Sequence, residues 1–201
     1  MKTKILSIIL LFVVMSGLSQ SSYAATVKNA DYTVLNEIKA INKIEVRGNV
    51  ELFISDNSVE QVKVYNKYYS ENALVQYKNG TLRITSYNAE KLIVWVSTDD
   101  LRAVSAYDNA EVRSFGKLSK IEFNVDLHNN ASAHLNLDAY SASVTLNDHS
   151  KAELSGTATE FGLSANASST LVKNDFTTEH FTDNKINITT AVKKDDLTIL
   201  E

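Results

Sequence analysis

Four versions of one short pattern decide the fold: VSAYDNA at residues 104–110, VDLHNNA at 125–131, VTLNDHS at 144–150 and FGLSANA at 161–167. Each version has two apolar residues separated by one position, followed by polar turn formers and a small residue. The versions start 21, 19 and 17 residues apart, close to the length of one coil of a β-solenoid. Alternate positions of a strand share one face. The pattern therefore predicts an all-β protein with stacked parallel coils.

Stacking the four versions in chain order aligns their side chains into columns. The first interior column would contain Val104, Val125, Val144 and Phe161, and the second Ala106, Leu127, Leu146 and Leu163. A third column, at the turns, would contain Asn109, Asn130, His149 and Asn166. Amide side chains at turns can hydrogen-bond from coil to coil and tolerate left-handed backbone. We predict that this turn ladder is structural rather than catalytic.

The start of the chain predicts export. Lys2 and Lys4 precede a mostly apolar run over residues 5–15, and small residues flank Tyr23 in the Ser22–Ala24 segment. This arrangement is typical of a secretory signal peptide cleaved after Ala24. A retained membrane anchor is the alternative, although the apolar run is too short to span a bilayer comfortably.

The expected organisation is a signal peptide at 1–24, an N-terminal arm at 25–37 and a single domain at 38–201. Cleavage would remove two lysines and no acid, which moves the net charge from −4 to −6. That balance argues against nucleic acid as the partner, and no membrane span is expected after cleavage. The chain has no cysteine, so disulfides and thiolate metal sites are excluded.

A strand-rich part precedes the repeats. From Ile44 to Ile54 apolar residues occupy the even positions, with polar residues between most of them and Gly48 where a bend is expected. Asn79-Gly80 lies between two short apolar segments and predicts a tight hairpin, because both central residues of such a turn need positive φ. Residues 92–96 are apolar on both faces and predict a covered strand.

The segments IEVRGNVEL at 44–52 and NGTLRI at 79–84, followed by the β repeats, resemble the head GIN domain family of exported bacterial proteins. The resemblance covers roughly residues 38–182. It implies a right-handed parallel β-helix-like solenoid, a location in the periplasm or at the cell surface, and a role in adhesion. It carries over no catalytic residue. Where the family turns on Ser-Gly-x-Gly-like elements, this chain has Asp/Asn-rich turns instead.

Few residues suggest chemistry. The four histidines, His128, His134, His149 and His180, form no metal-binding spacing, and we expect neither a metal nor a cofactor. His128 and His149 both fall at turns, where they could approach each other. Asp108 and Asp148 would share one column two coils apart, with backbones about 10 Å apart, just outside the range for an inverting glycosidase.

Aromatic residues are the more suggestive feature. Tyrosines crowd the first half of the chain, and Trp95 and Tyr107 follow. Rings on a rigid β surface can stack on sugars or anchor a protein, although capping of the core ends and pairing across strands explain them more simply. We single out Tyr68, Tyr69 and Tyr107 as candidate ligand-binding residues.

The sequence therefore predicts a non-enzymatic envelope or cell-surface module that binds a glycan or an envelope protein. A polysaccharide-acting β-helix enzyme is one alternative, which rests on Asp108 and Asp148 and on fold analogy. A self-assembling structural protein is the other, and a homo-oligomer stays open.

Overall fold

The computed structural model describes residues 32–35, 38–65 and 73–185. Thirteen strands lie in these ranges, in chain order: β1 Thr33–Leu35, β2 Lys43–Gly48, β3 Val50–Ser55, β4 Gln61–Tyr65, β5 Ala73–Lys78, β6 Thr81–Ser86, β7 Leu92–Ser97, β8 Ala103–Tyr107, β9 Glu111–Ser114, β10 Leu118–Leu127, β11 Ser132–Leu146, β12 Lys151–Ala165 and β13 Thr170–Lys185. No helix occurs in the described ranges, and the predicted all-β class is confirmed. The signal segment 1–24 and Tyr68 and Tyr69 lie outside the described residues. Of the predicted arm, Thr33–Leu35 forms β1.

Two rows of parallel strands run through the structure. In the first row β6, β2, β8 and β10 pair in that order, and the later halves of β11, β12 and β13 continue it. In the second row β7, β3 and β9 pair in order, followed by the earlier halves of the same three long strands. This parallel pairing between repeats is what the sequence predicts. The right-handed winding into a β-helix stays a prediction.

The predicted interior columns are found in the first three repeats, and in the fourth repeat the register is shifted by two residues. Val104 pairs with Val125, which pairs with Val144. Val144 then pairs with Leu163 rather than Phe161, which lies beside Ala142. In the second column Leu146 pairs with Ala165, so the placement of Leu163 there was also wrong. A shift of two residues keeps every side chain on the same face, so alternation alone cannot detect it.

The first repeats are not stacked in chain order. β2 lies between β6 and β8, and β3 lies between β7 and β9. The chain therefore completes β2 and β3, builds β6 and β7 on their outer side, and returns to the inner side with β8. Antiparallel strands flank the outer repeat, with β5 on β6 and β4 on β7. The β5–β6 hairpin confirms the predicted turn, where Asn79 has φ 50° and Gly80 has φ 78°.

Gly48 makes the corner between β2 and β3. Ile44, Val46, Val50, Leu52 and Ile54 are all buried, as the even-numbered pattern predicts. At the corner Gly48 has φ +82°, and a Cβ atom there would lie 2.1 Å from the Ser86 carbonyl oxygen. Ser86 ends β6, and its oxygen accepts a hydrogen bond from Asn49 N at 2.6 Å. Because Gly48 has no side chain, the chain can bend there and β2 can pair closely with β6.

Gly48→Ala should destabilise the protein more than Gly116→Ala. Gly116 has φ +81° with open space around it, so its alanine meets only the left-handed penalty of about 1–2 kcal/mol. At Gly48 the new methyl group also forces the Ser86 backbone away, for about 1–3 kcal/mol more. Urea unfolding of both variants measures the difference. Equal losses would contradict the close approach at this corner.

Candidate functional site

Tyr107 is the one predicted ligand-binding tyrosine within the described residues, and both faces of its ring are occupied. The Arg47 guanidinium carbon lies 3.8 Å from the ring centroid. The His128 ring stacks on the phenol with centroids 4.7 Å apart and planes 9° apart. His128 Nε2 in turn lies 3.0 Å from Asp126 Oδ2. Stacking of a ligand on Tyr107 would therefore require this three-layer stack to open.

The structure places the turn residues one position differently from the predicted ladder. The left-handed residues are Asp108 at φ 62°, Asn129 at 59° and Asp148 at 57°, each just before a predicted ladder residue. They also carry the hydrogen bonds between repeats. Asn129 Oδ1 accepts from Asp108 N at 3.2 Å, and Asp148 Oδ2 accepts from Asn129 N at 2.9 Å.

The four predicted ladder residues form a partial column. Asn130 Nδ2 lies 3.5 Å from Asn109 Oδ1. The backbone N of His149 donates to Asn129 O at 2.9 Å, which aligns His149 with Asn130. Asn166 belongs elsewhere, because its backbone N donates to Leu146 O at 3.1 Å and it begins its own turn. There its Oδ1 accepts from Ser168 N and Ser169 N at 3.2 and 3.0 Å.

The aspartate pair and the histidine pair considered for catalysis or metal binding lie at or beside these turns between repeats. Asp108 and Asp148 share a column, as expected, and Asp108 Oδ2 accepts from the Tyr87 hydroxyl at 3.1 Å. The hydrogen bond to Asp108 and, less strongly, the charge of Asp108 raise the pKa of Tyr87. His128 does not align with His149, because the residue in its position on the next repeat is Asn147, whose N donates to Leu127 O. Within the described ranges no group of three His, Cys, Asp or Glu residues could hold a metal.

An aromatic platform, composed of Phe53, Trp95 and Phe115, lies on the outward face of the second row. Phe53 and Trp95 are register partners on β3 and β7, and their rings stack with centroids 5.0 Å apart and planes 18° apart. Phe115 N donates to Ile54 O at 2.7 Å, which places the Phe115 ring 4.8 Å from that of Trp95. Phe115 is 62% exposed.

A groove of about 220 Å³ borders Trp95 on the side of β4. Its lining residues are Ser55, Asn57, Gln61, Lys63, Trp95, Val96 and Ser97. Ser55 Oγ donates to Ser97 Oγ at 3.1 Å, and Lys63 is the register partner of Trp95. An indole supported by Phe53 on one side and flanked by hydroxyl, amide and ammonium groups on the other is suited to a polar ligand with one apolar face.

Trp95 is noted among the aromatic residues of the sequence but is not one of the predicted ligand-binding residues, and neither of its phenylalanine neighbours is predicted. The 92–96 segment was expected to be covered on both faces. In the structure Ile93 and Trp95 are half-buried on the outward face, and the cover of Trp95 comes from rings within the same sheet. Phe53 was detectable as the one aromatic residue at an outward, odd position of the 44–54 pattern. Its pairing with Trp95 depends on the register between β3 and β7, which apolar alternation does not specify.

A charged row bounds the platform on its other side. Its members are Glu51, Lys91, Glu111, Arg113, His134 and Glu153. Arg113, the register partner of Phe53, lies with Nε 3.1 Å from Glu51 Oε1 and also contacts Glu111. His134 Nδ1 lies 3.1 Å from Glu153 Oε2. Burial alone raises the pKa of Glu111, but the Lys91 hydrogen bond and the Arg113 charge outweigh it, so this pKa lies below its ordinary value. Lys91 and Arg113 thus pair with Glu51 and Glu111, and Lys151 Nζ lies 2.6 Å from Glu153 Oε1.

Asn129→Ala should destabilise the protein by about 1–2 kcal/mol, because it removes a residue that tolerates left-handed backbone and a hydrogen bond between repeats. Asn130→Ala should cost less than about 0.5 kcal/mol, since its exposed side chain makes one long contact. Thermal unfolding of the two variants, with Asn129→Gly to restore only the backbone freedom, checks the assignment. If Asn130→Ala loses more stability than Asn129→Ala, the stabilising hydrogen bonds run through the predicted column of Asn109, Asn130 and His149 instead.

Comparisons with known proteins agree with this architecture. Residues 40–193 match the family described as putative auto-transporter adhesin, head GIN domain, whereas no curated protein matches the chain. The solved structure of a putative adhesin from Bacteroides fragilis is similar, with a TM-score of 0.67 at 13% identity over 77% of this chain and 75% of that one. A putative adhesin from Parabacteroides distasonis gives 0.56 at 15% identity over 77% of both chains.

A putative adhesin from Parabacteroides merdae gives a TM-score of 0.53 at 14% identity, over 77% of this chain and 76% of that one. At these identities the likeness concerns the fold alone. The family match spans most of the sequence and confirms the resemblance of the 44–52 and 79–84 segments. The chain belongs to the putative auto-transporter adhesin, head GIN domain family.

Proposed function

We propose that the protein is an exported, non-enzymatic, adhesin-like module that binds a glycan through the aromatic platform. In this proposal the stacked repeats wind as a right-handed parallel β-helix and hold the platform at the cell surface or in the periplasm. The observation that carries it is Trp95, which is backed by Phe53 and borders a groove with hydroxyl and amide side chains.

Sugar chemistry suits this arrangement. A pyranose ring has an apolar C–H face that packs on an aromatic ring and a rim of hydroxyls that need hydrogen-bond partners. Ser55, Ser97 and Gln61 supply such partners beside Trp95. Strands hold these groups in place, so little side-chain and backbone entropy is lost on binding.

The family and the three similar solved structures described above are named as putative adhesins, which supports a binding role over catalysis. Within residues 32–35, 38–65 and 73–185, no helix is long and apolar enough to cross a membrane. The proposed export rests on the predicted signal at 1–24 together with the family's name.

A larger groove of about 740 Å³ lies at the β5–β6 hairpin, lined by Gln76, Tyr77, Lys78, Asn79, Thr81 and Arg83. Its one aromatic lining residue, Tyr77, donates its hydroxyl to the Lys39 carbonyl, and no second ring is found among those lining residues. Volume alone does not give affinity. We therefore place the glycan at Trp95.

Trp95→Ala should weaken glycan binding by about thirtyfold, the effect of removing a central aromatic contact of about 2 kcal/mol. A glycan array identifies the ligand, and calorimetry with the purified protein measures the dissociation constant. Tyr140→Ala is the matched control, because Tyr140 is an exposed aromatic residue on β11 outside the groove. Unchanged binding in Trp95→Ala, with an intact fold by circular dichroism, would exclude the platform as the site.

A further inference from the structure

Lys63 is the charged residue of the groove beside Trp95. It lies on β4 in register with Trp95, and it is half-buried. The other six lining residues are uncharged at neutral pH. Its Nζ atom lies 5.3 Å from the ring centroid of Tyr32, which precedes β1, and Lys63 itself lines the groove.

Lys63 takes part in none of the ion pairs found among the described residues. Asp56, the acidic residue just before the Asn57 lining position, is engaged elsewhere. Its Oδ1 lies 2.6 Å from Lys120 Nζ, and its Oδ2 accepts from Ser119 N at 2.8 Å. On the far side of the platform Arg113 is neutralised by Glu51 and Glu111. Among the residues that the structure describes, the ammonium of Lys63 is thus the charge at the site that has no ion-pair partner.

We infer that the glycan bound at the platform carries a carboxylate, as uronic and sialic acids do, and that Lys63 binds it. The sugar ring packs on Trp95, its hydroxyls bond Ser55, Ser97 and Gln61, and its carboxylate accepts hydrogen bonds from Lys63 Nζ. The protein has a net charge of −4, so recognition of an anion requires a local cation of this kind. This inference rests on the proposed function and narrows its substrate class.

Matched acidic and neutral ligands test the inference. The probes are oligogalacturonide, alginate and hyaluronan oligosaccharides and sialyllactose, each compared with its own methyl ester. Esterification removes the negative charge and leaves the sugar ring and linkage unchanged. We expect an acidic probe to bind about tenfold more tightly than its ester, as one charge-assisted hydrogen bond of about 1.4 kcal/mol predicts.

Substitution at Lys63 separates the ammonium from the rest of the site. Lys63→Met keeps the aliphatic stem and should weaken the acidic probe by the same factor while leaving the ester unchanged. Lys78→Met, an equal change of net charge on β5, should alter neither. Equal binding of acid and ester, both lost in Trp95→Ala, would overturn the carboxylate inference and leave the glycan function standing. If no saccharide, acidic or neutral, binds through Trp95, both the inference and the proposed function fail.

Discussion

Parallel backbone pairing between segments about 19–21 residues apart is the constraint on which the rest of the structure depends. Each repeat is short and buries little apolar surface by itself. When the strands pair in register, Val104, Val125 and Val144 meet in one interior column, and the apolar surface of every repeat is covered by the next. Backbone and side chains therefore stabilise the same arrangement. A one-residue slip would expose the whole interior set.

The same register fixes the outward columns. Lys63, Trp95, Phe53, Arg113 and His134 follow one another across five neighbouring strands. Along this column a cation is followed by two aromatic rings and then by charged side chains that form ion pairs. Neighbouring members are one strand spacing of about 4.8 Å apart. Its rings stack because the strands are adjacent, and Trp95 borders a groove because β4 adds an antiparallel edge at that point. The candidate site is thus a consequence of strand order rather than of a loop.

Much of the fold was predictable from local patterns. Alternation identified the buried residues of the 44–54 segment, Asn79-Gly80 fixed the hairpin, and the repeat length gave the parallel pairing. The two-residue slip at Phe161 was not predictable, because it leaves the period-2 pattern unchanged. The placement of β6 and β7 outside β2 and β3 was not predictable either, since apolar alternation does not specify which strands are neighbours.

The site was less predictable than the fold for the same reason. Trp95 is the single tryptophan of the chain. Phe53 and Phe115 can be recognised as its neighbours only when the pairing of β3 with β7 and with β9 is known. Tyr107 looked exposed because no sequence pattern places Arg47 and His128 on its two faces. Residues far apart in the chain determine what each aromatic ring can contact.

Disulfide cross-linking tests the strand order most directly, because the chain has no cysteine of its own. Lys43 and Ala103 are register partners on β2 and β8, whereas Thr81 pairs with Lys43 from the other side. Lys43→Cys with Ala103→Cys should therefore oxidise readily to a disulfide. Thr81→Cys with Ala103→Cys should not, since β2 separates the two by about 10 Å. The reverse result would mean that the repeats stack in chain order, with β7 between β3 and β9. That order would leave β7 no free edge for β4, and the groove between Lys63 and Trp95 would be lost.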